Sequence, residues 1–406
     1  MYHLHTHCRA CGFAFHGAGG NRNPTEKLVE VLDLGIQPLA NDFCKRGEPH
    51  AGYAPLKVLF CPQCSLAQLS VVVDPAVLYK NYPYVTSPSE MMRAHFKALI
   101  SDIEQETTGL TVLEIGSNDG RLLNIMQLDH GYSVTGVDPA ANLVAIANSN
   151  GVPTRIGLFG SLLALTLCKA DVVIARHVFC HVDDWHDFVL GLEAVSHRGT
   201  LICIEVPYAG DTLKQCEFDT VYHEHLSYLT IKAVNALLAP TSFRLHKVIR
   251  YEIHGGAILL MLRHKDRATP PPGGFTDAIT QEDWDRFSER ATEQQLALRN
   301  QLDTIRILGK RVAALGASAK STVWINACGF TRKDIAFIAD NTPQKQYTFS
   351  PGTDIPIVDE GAILRELPDY LVIFCWNFLP EVLEKFKLAR EKGVKFIVPV
   401  PKMVVC

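Results

Sequence analysis

The sequence lacks three features that would place it in other classes of protein. It has no stretch of the ~18 uninterrupted apolar residues that a membrane-spanning helix requires. No apolar run follows Met1, so we expect no secretory signal and a cytoplasmic location. An excess of one charge is also missing, because 39 Lys and Arg oppose 43 Asp and Glu for a net charge of -4. That balance argues against nucleic acid or an anionic membrane as the main partner.

The composition is that of a large folded protein. The 406 residues are 47% hydrophobic and 20% charged, which predicts two or three domains with sizeable cores. Twelve cysteines are scattered along the chain, and four of them form two C-x2-C pairs. In a cytosolic protein this usage is typical of free thiols with a metal site, and it argues against a disulfide framework.

The two pairs are Cys8 with Cys11 and Cys61 with Cys64. Each pair can occupy a tight turn, and two such turns close a tetrahedral thiolate cage around zinc. Four protein ligands leave no open position for water, so the predicted zinc is structural. The alternative is four reduced cysteines at strand ends. Cys44 is left over as a spare thiol.

A glycine turn between a strand and a helix predicts a cofactor site. Apolar residues at 112, 113 and 115 predict a buried strand, the turn covers 116–120, and a helix follows. The turn lacks the three-glycine dinucleotide pattern, and its carboxylates suit a cationic sulfonium better than a pyrophosphate. We therefore predict a site for S-adenosylmethionine (SAM), with an unliganded turn as the alternative. The predicted cofactor-binding residues are Glu114, Gly116, Asn118, Asp119, Gly120, the acid Asp138 after the next strand, and His177.

Strand and helix patterns alternate from Leu110 to about Leu262. The predicted strands are 111–115, 132–137, 172–176, 200–206 and 257–262, and the predicted helices are 121–128, 140–149, 184–196 and 230–239. This alternation predicts a mostly parallel, doubly wound sheet that binds ligands at the carboxyl ends of its strands. Residues 175–181, which include His177 and His181, fall at that edge.

The segment 218–228 concentrates ionisable side chains. Tyr222, His223, Glu224 and His225 stand in a row, and such crowding is costly to bury without a purpose. In an extended segment the two histidines would share one face, with Tyr222 and Glu224 on the other. We interpret the row as a catalytic acid–base cluster in which Glu224 holds a histidine in one tautomer. The alternatives are a metal site at 223–225 and a hydrogen-bonded structural patch.

The C-terminal part of the chain repeats the strand–glycine–helix pattern. A Pro- and Gly-rich stretch at 269–274 predicts a linker, and a long helix is predicted at 280–308. A strand, a glycine turn and a helix N-terminus follow within 310–322, where a lysine favours an anion such as phosphate. Further predicted strands at 335–339, 355–358, 370–375 and 395–400 complete a smaller Rossmann-like domain, although a domain that only packs is the alternative. The predicted ligand-binding residues are Ser318, Lys320, Ser321 and Lys345.

The order of these motifs resembles one enzyme family across nearly the whole chain. The zinc knuckles, E-x-G-x-N-D-G, C-H at 180–181 and Y-x-E-H at 222–225 are similar to those of sugar-nucleotide C-methyltransferases of deoxysugar biosynthesis. The closest type is the C-3 methyltransferase that acts on dTDP-4-keto-deoxysugars. The resemblance implies that His181, Tyr222, Glu224 and His225 line the reaction site. It also implies that the C-terminal domain holds the nucleotide diphosphate of the substrate.

Further residues are carried over by the same resemblance. It implies that Tyr84 closes over the reacting groups and that Tyr82 is a second candidate from the same loop. His223 stands where an acid also occurs in the family, and we predict that it contacts substrate. Arg176 and His177 replace smaller polar residues near the cofactor. These departures bear on the identity of the sugar more than on the reaction.

The resulting hypothesis is proton removal from C3 of the sugar by His225, oriented by Glu224, followed by methylation of the enolate carbon. Tyr222 and His181 would donate hydrogen bonds to the enolate oxygen. The expected substrate is a nucleotide sugar, with dTDP favoured over GDP, and a monomer is compatible with the sequence. The alternatives are an O- or N-methyltransferase acting on a sugar nucleotide, an NAD-dependent sugar-nucleotide oxidoreductase, and a non-catalytic zinc scaffold.

The predicted fold class is α/β with three parts. These are a zinc-binding module at 1–78, a central Rossmann-like SAM methyltransferase domain at 79–268, and a smaller Rossmann-like sugar-nucleotide-binding domain at 269–406.

Overall fold

The computed structural model describes residues 1–12, 28–79, 90–253 and 255–406. Tyr82 and Tyr84, which the sequence assigns to the reaction site, lie outside these residues. Within the described ranges, no helix is both long enough and apolar enough to cross a bilayer.

The N-terminal module is a small antiparallel sheet with two cysteine knuckles. Its elements are β1 (Tyr2–Leu4), β2 (Val29–Pro38), β3 (Tyr53–Phe60), β4 (Ala67–Leu69), β5 (Val71–Val73) and α1 (Pro75–Leu78). β2 continues through 34–38 without a turn. Gly35 adopts a φ of 74° there and lets the strand absorb an irregularity in its pairing with β3.

The central domain has a seven-stranded sheet flanked by helices. Its helices are α2 (Glu90–Glu106), α3 (Arg121–His130), α4 (Ala141–Ser149), α5 (Ser161–Ala164), α6 (Trp185–Val195), α7 (Ala209–Gln215) and α8 (Ile231–Leu238). Its strands are β6 (Thr111–Ile115), β7 (Ser133–Asp138), β8 (Thr154–Ile156), β9 (Ala170–Arg176) and β10 (Ser196–Pro207), with β12 (Phe243–Tyr251) and β13 (Ala257–His264) after the short β11 (Ser227–Tyr228).

The strand order in this sheet is β12-β13-β10-β9-β6-β7-β8. The predicted mostly parallel, doubly wound sheet is confirmed, with β13 inserted antiparallel between β10 and β12. The chain winds one way from β6 to β8 and then returns to β9 on the other side of β6. The crevice beyond the carboxyl ends of β6 and β9 is therefore the switch point where such sheets bind ligands.

The C-terminal domain repeats this architecture on a smaller scale. Its elements are α9 (Gln281–Ile307), β14 (Val312–Leu315), α10 (Ala319–Ala327), β15 (Ile338–Ala339), β16 (Ile357–Val358), α11 (Ala362–Glu366), β17 (Tyr370–Ile373), α12 (Leu379–Lys385), α13 (Lys387–Glu391), β18 (Lys395–Val398) and β19 (Val404–Val405). The strand order is β16-β15-β14-β17-β18-β19, parallel except for β19. Its switch point lies between β14 and β17.

The three parts share their cores. One apolar cluster joins residues of the N-terminal sheet, such as Val58, to Phe218 and Val221 of the segment that carries the ionisable row, and to Trp324 of α10. A second cluster packs the zinc knuckles against the central sheet. The segment with the ionisable row is therefore held by all three parts of the chain.

Candidate active site

The segment with the ionisable row forms a turn. It ends in β11, which pairs with β4 of the N-terminal sheet. The N–H of His225 donates to the carbonyl oxygen of Tyr222 at 2.9 Å and closes the turn. The predicted alternation of faces is therefore wrong, because an extended strand would have separated the side chains of Tyr222 and His225, which the turn brings together.

His225 is held at both ring nitrogens. Its Nδ1 lies 2.8 Å from the carbonyl oxygen of Thr220, which can only accept, so Nδ1 donates. Nε2 then accepts from the hydroxyl of Tyr222 at 2.6 Å. Burial, and next the charge of His181, hold the pKa of His225 well below its usual range. The imidazole is therefore neutral, with its lone pair on Nε2.

Glu224 does not orient His225, and this prediction is wrong. The carbonyl of Thr220 holds His225 instead. The Oε1 of Glu224 accepts from Nδ2 of Asn41 in the N-terminal module at 2.8 Å. Its Oε2 has no hydrogen-bond partner among the described residues. Burial raises the pKa of this carboxyl.

His223 also turns toward the N-terminal module. Its Nε2 lies 3.2 Å from the carbonyl oxygen of Ala54, and burial lowers its pKa to about 4. Its role as a substrate contact stays a prediction. The metal site considered at 223–225 fails on geometry: within the described chain, the ligand atoms that gather around His225 belong to Cys180 and His181.

His181 completes the neighbourhood of His225. It ends a 3-10 turn, Phe179–His181, and its ring stacks on that of His225 with centroids 5.2 Å apart. Tyr79 also stacks on the ring of His181, with centroids 6.4 Å apart. Burial, and then the charge of His177, lower the pKa of His181 to about 3, so it is a neutral donor.

Residues 176–181 join this cluster to the predicted cofactor site. Arg176, at their start, donates to Oε1 of Glu114 in β6 at 2.8 and 2.9 Å. Val178 packs against Gly116, where an added Cβ would lie 2.2 Å from Val178 Cγ2. The predicted cofactor turn and the His181–His225 pair therefore meet at one edge of the sheet, as the hypothesis requires.

The predicted cofactor site, formed by the turn 116–120 with Glu114 and Asp138 and here called the central or cofactor corner, has the negative charge that a SAM site needs. Glu114 is fully buried, and its Oε2 has no hydrogen-bond partner within the described residues. Burial raises its pKa to about 7; Arg176 opposes that rise, and the charges of Asp119 and Asp138 add to it. An orphaned carboxylate oxygen among other acids fits a cationic ligand.

Backbone contacts shape the same corner. The Oδ2 of Asp138 accepts from the amide of Asn118 at 2.9 Å, and its Oδ1 accepts from Ala140 at 2.8 Å. Each oxygen keeps a second lone pair for a ribose hydroxyl. Asp119 accepts from the amide of Arg121 at the start of α3. Gly116 and Gly120 adopt φ values of 68° and 75°, which glycine tolerates without strain.

A buried carboxylate that the sequence analysis missed holds His177. Glu205 of β10 lies 2.8 Å from Nε2 of His177 through one oxygen and 2.8 Å from Nε2 of His95 through the other. These two histidines keep the pKa of Glu205 below its usual range despite burial. The signal was present in the sequence: Glu205, like Glu114, is a single acid inside an apolar strand.

The turn between β14 and α10, with Lys345 beside it, is here called the C-terminal corner. Most of its predicted ligand-binding side chains already make hydrogen bonds within the protein. Ser318 and Ser321 form a capping box at the start of α10, so each side chain already satisfies a backbone amide. Lys345 is buried and donates to the carbonyl oxygen of Ala317 at 2.8 Å; burial lowers its pKa. Ligand contact by these three residues stays a prediction.

Lys320 is different, because its ammonium has no hydrogen-bond partner among the described residues. Its Nζ is buried 4.1 Å above the ring of Trp376. Its charge offsets part of the burial effect on the carboxyls of Glu217 and Asp219, and it contributes to the low pKa of His225. The C-terminal domain therefore directs one unsatisfied cation toward the reaction cluster.

The four knuckle cysteines form the predicted zinc site. Cys8 and Cys64 have sulfurs 3.4 Å apart, those of Cys11 and Cys61 are 3.7 Å apart, and all four lie within 4.8 Å of one another. A Zn–S bond of about 2.3 Å gives tetrahedral edges of roughly 3.8 Å. The thiolates thus fit a structural zinc ion with no open coordination position.

Arg9, inside the first knuckle, links zinc to the reaction cluster. Its guanidinium donates to Asp183, two residues after His181, at 3.0 Å. It also donates to the carbonyl oxygen of Leu226, next to His225, at 3.3 Å. The zinc knuckle therefore fixes both chain segments that carry the stacked histidines.

Three family models match the chain. They are described as "Putative zinc binding domain" at residues 24–79, "Methyltransferase domain" at 90–248 and "C-methyltransferase C-terminal domain" at 252–401. The C-methyltransferase NovU of Streptomyces niveus is 31% identical over 417 residues, covering 97% of this chain and 95% of NovU. The boundaries predicted at 78/79 and 268/269 stay predictions.

Similarity to solved structures is weaker. Magnesium protoporphyrin IX methyltransferase from Synechocystis PCC 6803 with bound SAH is 16% identical, with 43% of this chain and 82% of that chain covered and a TM-score of 0.33. Ribosomal protein L11 methylase from Lactobacillus delbrueckii subsp. bulgaricus is 19% identical, with 41% and 77% covered and a TM-score of 0.31. Scores this low support no conclusion about substrate.

Proposed function

The chain belongs to the C-methyltransferase family and is a SAM-dependent enzyme, and from that premise we propose that it methylates C3 of a nucleotide-linked 4-keto-deoxysugar. The observation that carries this proposal is the neutral His225, whose Nε2 lone pair meets the Tyr222 hydroxyl beside His181. A dTDP sugar is the favoured substrate, and a GDP sugar is the alternative.

The reaction begins with a proton. The C4 ketone makes the C3–H bond acidic, and Nε2 of His225 takes that proton as a general base. The electron pair of the C–H bond moves into an enolate with its charge on the C4 oxygen. SAM, when bound, would supply the methyl group: C3 forms the new C–C bond as the methyl–sulfur bond breaks, and S-adenosylhomocysteine leaves. The imidazolium formed on His225 keeps its Nδ1–H bond to Thr220, so the ring does not turn during the transfer.

The enolate oxygen needs hydrogen-bond donors, and the Tyr222 hydroxyl is the first candidate. The single lone pair of Nε2 accepts either the Tyr222 hydroxyl or the substrate proton, so the hydroxyl leaves Nε2 before proton transfer and donates to the oxyanion as it forms. His181 is the second candidate, because burial keeps it neutral. Removing one such donor typically lowers the rate by ~10²–10³-fold.

The nucleotide end is assigned to the C-terminal corner. Lys320 supports this assignment, since its buried ammonium lies over Trp376 and near two carboxyls but has no hydrogen-bond partner among the described residues, and an anionic ligand would supply one. The diphosphate, or the enolate itself, would supply that charge. Under this proposal the sugar lies between the C-terminal corner and His225.

The test separates proton removal from methyl transfer. Wild type, His225→Ala and Tyr222→Phe are incubated in D2O with a dTDP-linked 4-keto-deoxysugar and S-adenosylhomocysteine, and exchange at C3 is followed by NMR. We expect His225→Ala to lose exchange by at least about 10³-fold and Tyr222→Phe by ~10²-fold. His186→Ala, an exposed histidine on α6, is the matched control and should exchange at the wild-type rate.

A second set of reactions uses SAM labelled in its methyl group with dTDP- and GDP-linked sugars, and NMR locates the new methyl carbon. A methyl group on C3 supports the proposal, whereas a methyl group on another carbon contradicts its regiochemistry. Near-wild-type C3 exchange in His225→Ala would show that another group is the base.

A further inference from the structure

Three different metal-ligating side chains converge in the loop between β2 and β3, outside the four-cysteine site. The Sγ of Cys44 lies 3.5 Å from Oδ1 of Asp42. The Nδ1 of His50 lies 3.1 Å from Oδ2 of Asp42. One ligand atom from each residue lies within 4.8 Å of those from the other two. Cys44 is a thiol that neither the zinc cage nor the reaction cluster uses.

Of these distances, the 3.5 Å between Cys44 and Asp42 equals the edge of a coordination tetrahedron, and the 3.1 Å between His50 and the other oxygen of Asp42 is shorter than such an edge. Bonds from zinc of about 2.3 Å to sulfur and about 2.0–2.2 Å to nitrogen or oxygen separate the ligand atoms by roughly 3.3–3.6 Å. The sulfur pairs of the four-cysteine site are 3.4 and 3.7 Å apart. A thiolate, a carboxylate and a neutral imidazole carry two negative charges, which one divalent ion neutralises, and this mixed donor set suits zinc and its neighbours.

The loop fixes the ligands through its own hydrogen bonds. The Oδ2 of Asp42 also accepts from the amide of Ala51 at 2.7 Å. The carbonyl oxygen of Cys44 accepts from the amide of Phe349 in the C-terminal domain at 2.9 Å. Two of the three ligands are thus held by contacts that do not need an ion, and such preorganisation is what a metal site requires.

An ion can also reach the cluster. Cys44 is buried, but the side chains of Asp42 and His50 are 14% and 29% exposed. A cavity of about 380 Å³ opens beside His50, lined by His50, Tyr53, Phe330, Thr331, Gly352, Thr353 and Asp354. The partly exposed side chains of Asp42 and His50 therefore leave a path for an ion and for a water molecule as its fourth ligand.

We propose that Asp42, Cys44 and His50 bind one divalent transition-metal ion of the zinc class, with water as the fourth ligand. The ion holds this loop in one conformation, and the carbonyl oxygen of Cys44 joins the loop to the C-terminal domain through the amide of Phe349. The two residues before Asp42 also make contacts outside the module: Asn41 donates to Glu224, and the carbonyl oxygen of Ala40 accepts from Thr322 of α10 at 2.9 Å. A metal here steadies the part of the N-terminal module that touches both the reaction cluster and α10.

The experiment titrates the zinc-loaded full-length protein with Co²⁺. Its readouts are the thiolate-to-cobalt charge-transfer absorption and the zinc and cobalt contents of the dialysed protein. We expect wild type to bind one Co²⁺ per chain with thiolate absorption while it keeps the zinc of the four-cysteine site. Cys44→Ser should lose that absorption. His50→Ala should bind Co²⁺ about 100-fold more weakly.

Cys168→Ser is the matched control, because Cys168 is a more exposed thiol that belongs to no ligand cluster among the described residues. It should bind Co²⁺ like wild type. The proposal is overturned if wild type binds no Co²⁺ beyond exchange into the four-cysteine site, or if His50→Ala, at a partly exposed position where folding is not at risk, binds with unchanged affinity and absorption. Equal loss in Cys168→Ser would also overturn it.

Discussion

In each Rossmann-like sheet, the first glycine after the central strand faces a residue that follows the strand across the switch point. Gly116 faces Val178, and Gly316 faces Cys375. Both glycines have positive φ, and both donate their amide to the neighbouring strand. The two corners are thus copies of one backbone design.

An aspartate braces the turn in the same way in both domains. Asp138 accepts from the amide of Asn118 with one oxygen and from Ala140, two residues beyond itself, with the other. Asp340 accepts from Ala317 and, two residues beyond itself, from Thr342. The position of the acid after the second strand is therefore preserved along with its hydrogen bonds.

The side chains added to this frame differ in charge and in capping. The central corner has the buried Glu114, and the N-cap of its helix α3 is Gly120, which has no side chain to cap it. The C-terminal corner has the unsatisfied ammonium of Lys320, and its helix is capped by Ser318. A few side chains thus give this turn a buried acid in one domain, which suits the cationic methyl donor, and a buried cation in the other, for which we propose an anionic ligand, so the turn alone does not identify its ligand.

The largest effect is expected from a substitution that disrupts only the central corner. Asp138→Ala leaves two backbone amides without their acceptor, at about 1–3 kcal/mol each, so SAM affinity should fall by about 100-fold. Calorimetric titration with SAM measures this loss, and titration with dTDP is the control for an intact C-terminal corner. If SAM binds with wild-type affinity, the aspartate does not shape the cofactor site.

The equivalent substitution in the C-terminal corner should weaken nucleotide binding instead of SAM binding, and by a smaller factor. Asp340→Ala should weaken dTDP binding by about tenfold and leave SAM binding unchanged. The loss is smaller because Lys345 still holds the carbonyl oxygen of Ala317. Both ligands are titrated against the same preparation. A loss of SAM affinity in this variant would mean that the two corners are not independent.

The difference in charge between the two corners predicts that ligand affinity depends on pH in the central corner only. Burial raises the pKa of Glu114 to about 7, so this acid is mostly ionised at pH 8 and mostly protonated at pH 6. A cationic ligand favours the ionised form, so Glu114→Gln should bind SAM up to about tenfold more weakly than wild type at pH 8 and nearly as well at pH 6. SAM dissociation constants at both pH values give this ratio. A ratio that does not change with pH would exclude Glu114 as the titrating group.

The smallest effect is expected from removing the side-chain cap at the start of α10. Ser318→Ala removes the side-chain acceptor at the start of α10 and should reduce the free energy of unfolding by about 1 kcal/mol. The change is measured by denaturant unfolding followed through the C-terminal tryptophans. A loss of dTDP affinity without that loss of stability would instead assign the hydroxyl to the ligand.

Local patterns in the sequence predicted what depends on neighbouring residues. The strand 111–115 and the long helix 280–308 are confirmed nearly to the residue, because apolar periodicity and turn glycines specify them. The zinc cage was predictable for the same reason, since both knuckles are short motifs. The chain's membership of the C-methyltransferase family confirms the prediction of C-methylation. The oxidoreductase and scaffold alternatives are therefore wrong.

Contacts between distant segments were not predictable from these patterns. Glu224 stands beside His225 in sequence, but it bonds Asn41, which is 183 positions away. His225 depends on a backbone carbonyl, which carries no residue signature at all. Glu205 and His95 pair across 110 positions. Such pairings depend on how the three parts pack, and the roles of Tyr82 and Tyr84 stay predictions.

Asp219, the residue before Thr220, offers a fluorescence signal for the joint between the central and C-terminal domains. Its Oδ2 accepts from the indole N–H groups of both Trp324 and Trp376 of the C-terminal domain, at 3.0 and 2.9 Å. The chain has four tryptophans in all, so half of its indole rings are bonded to a single carboxylate at that joint. Emission intensity should therefore report, without any added label, whether nucleotide binding pulls the C-terminal domain toward the base or away from it.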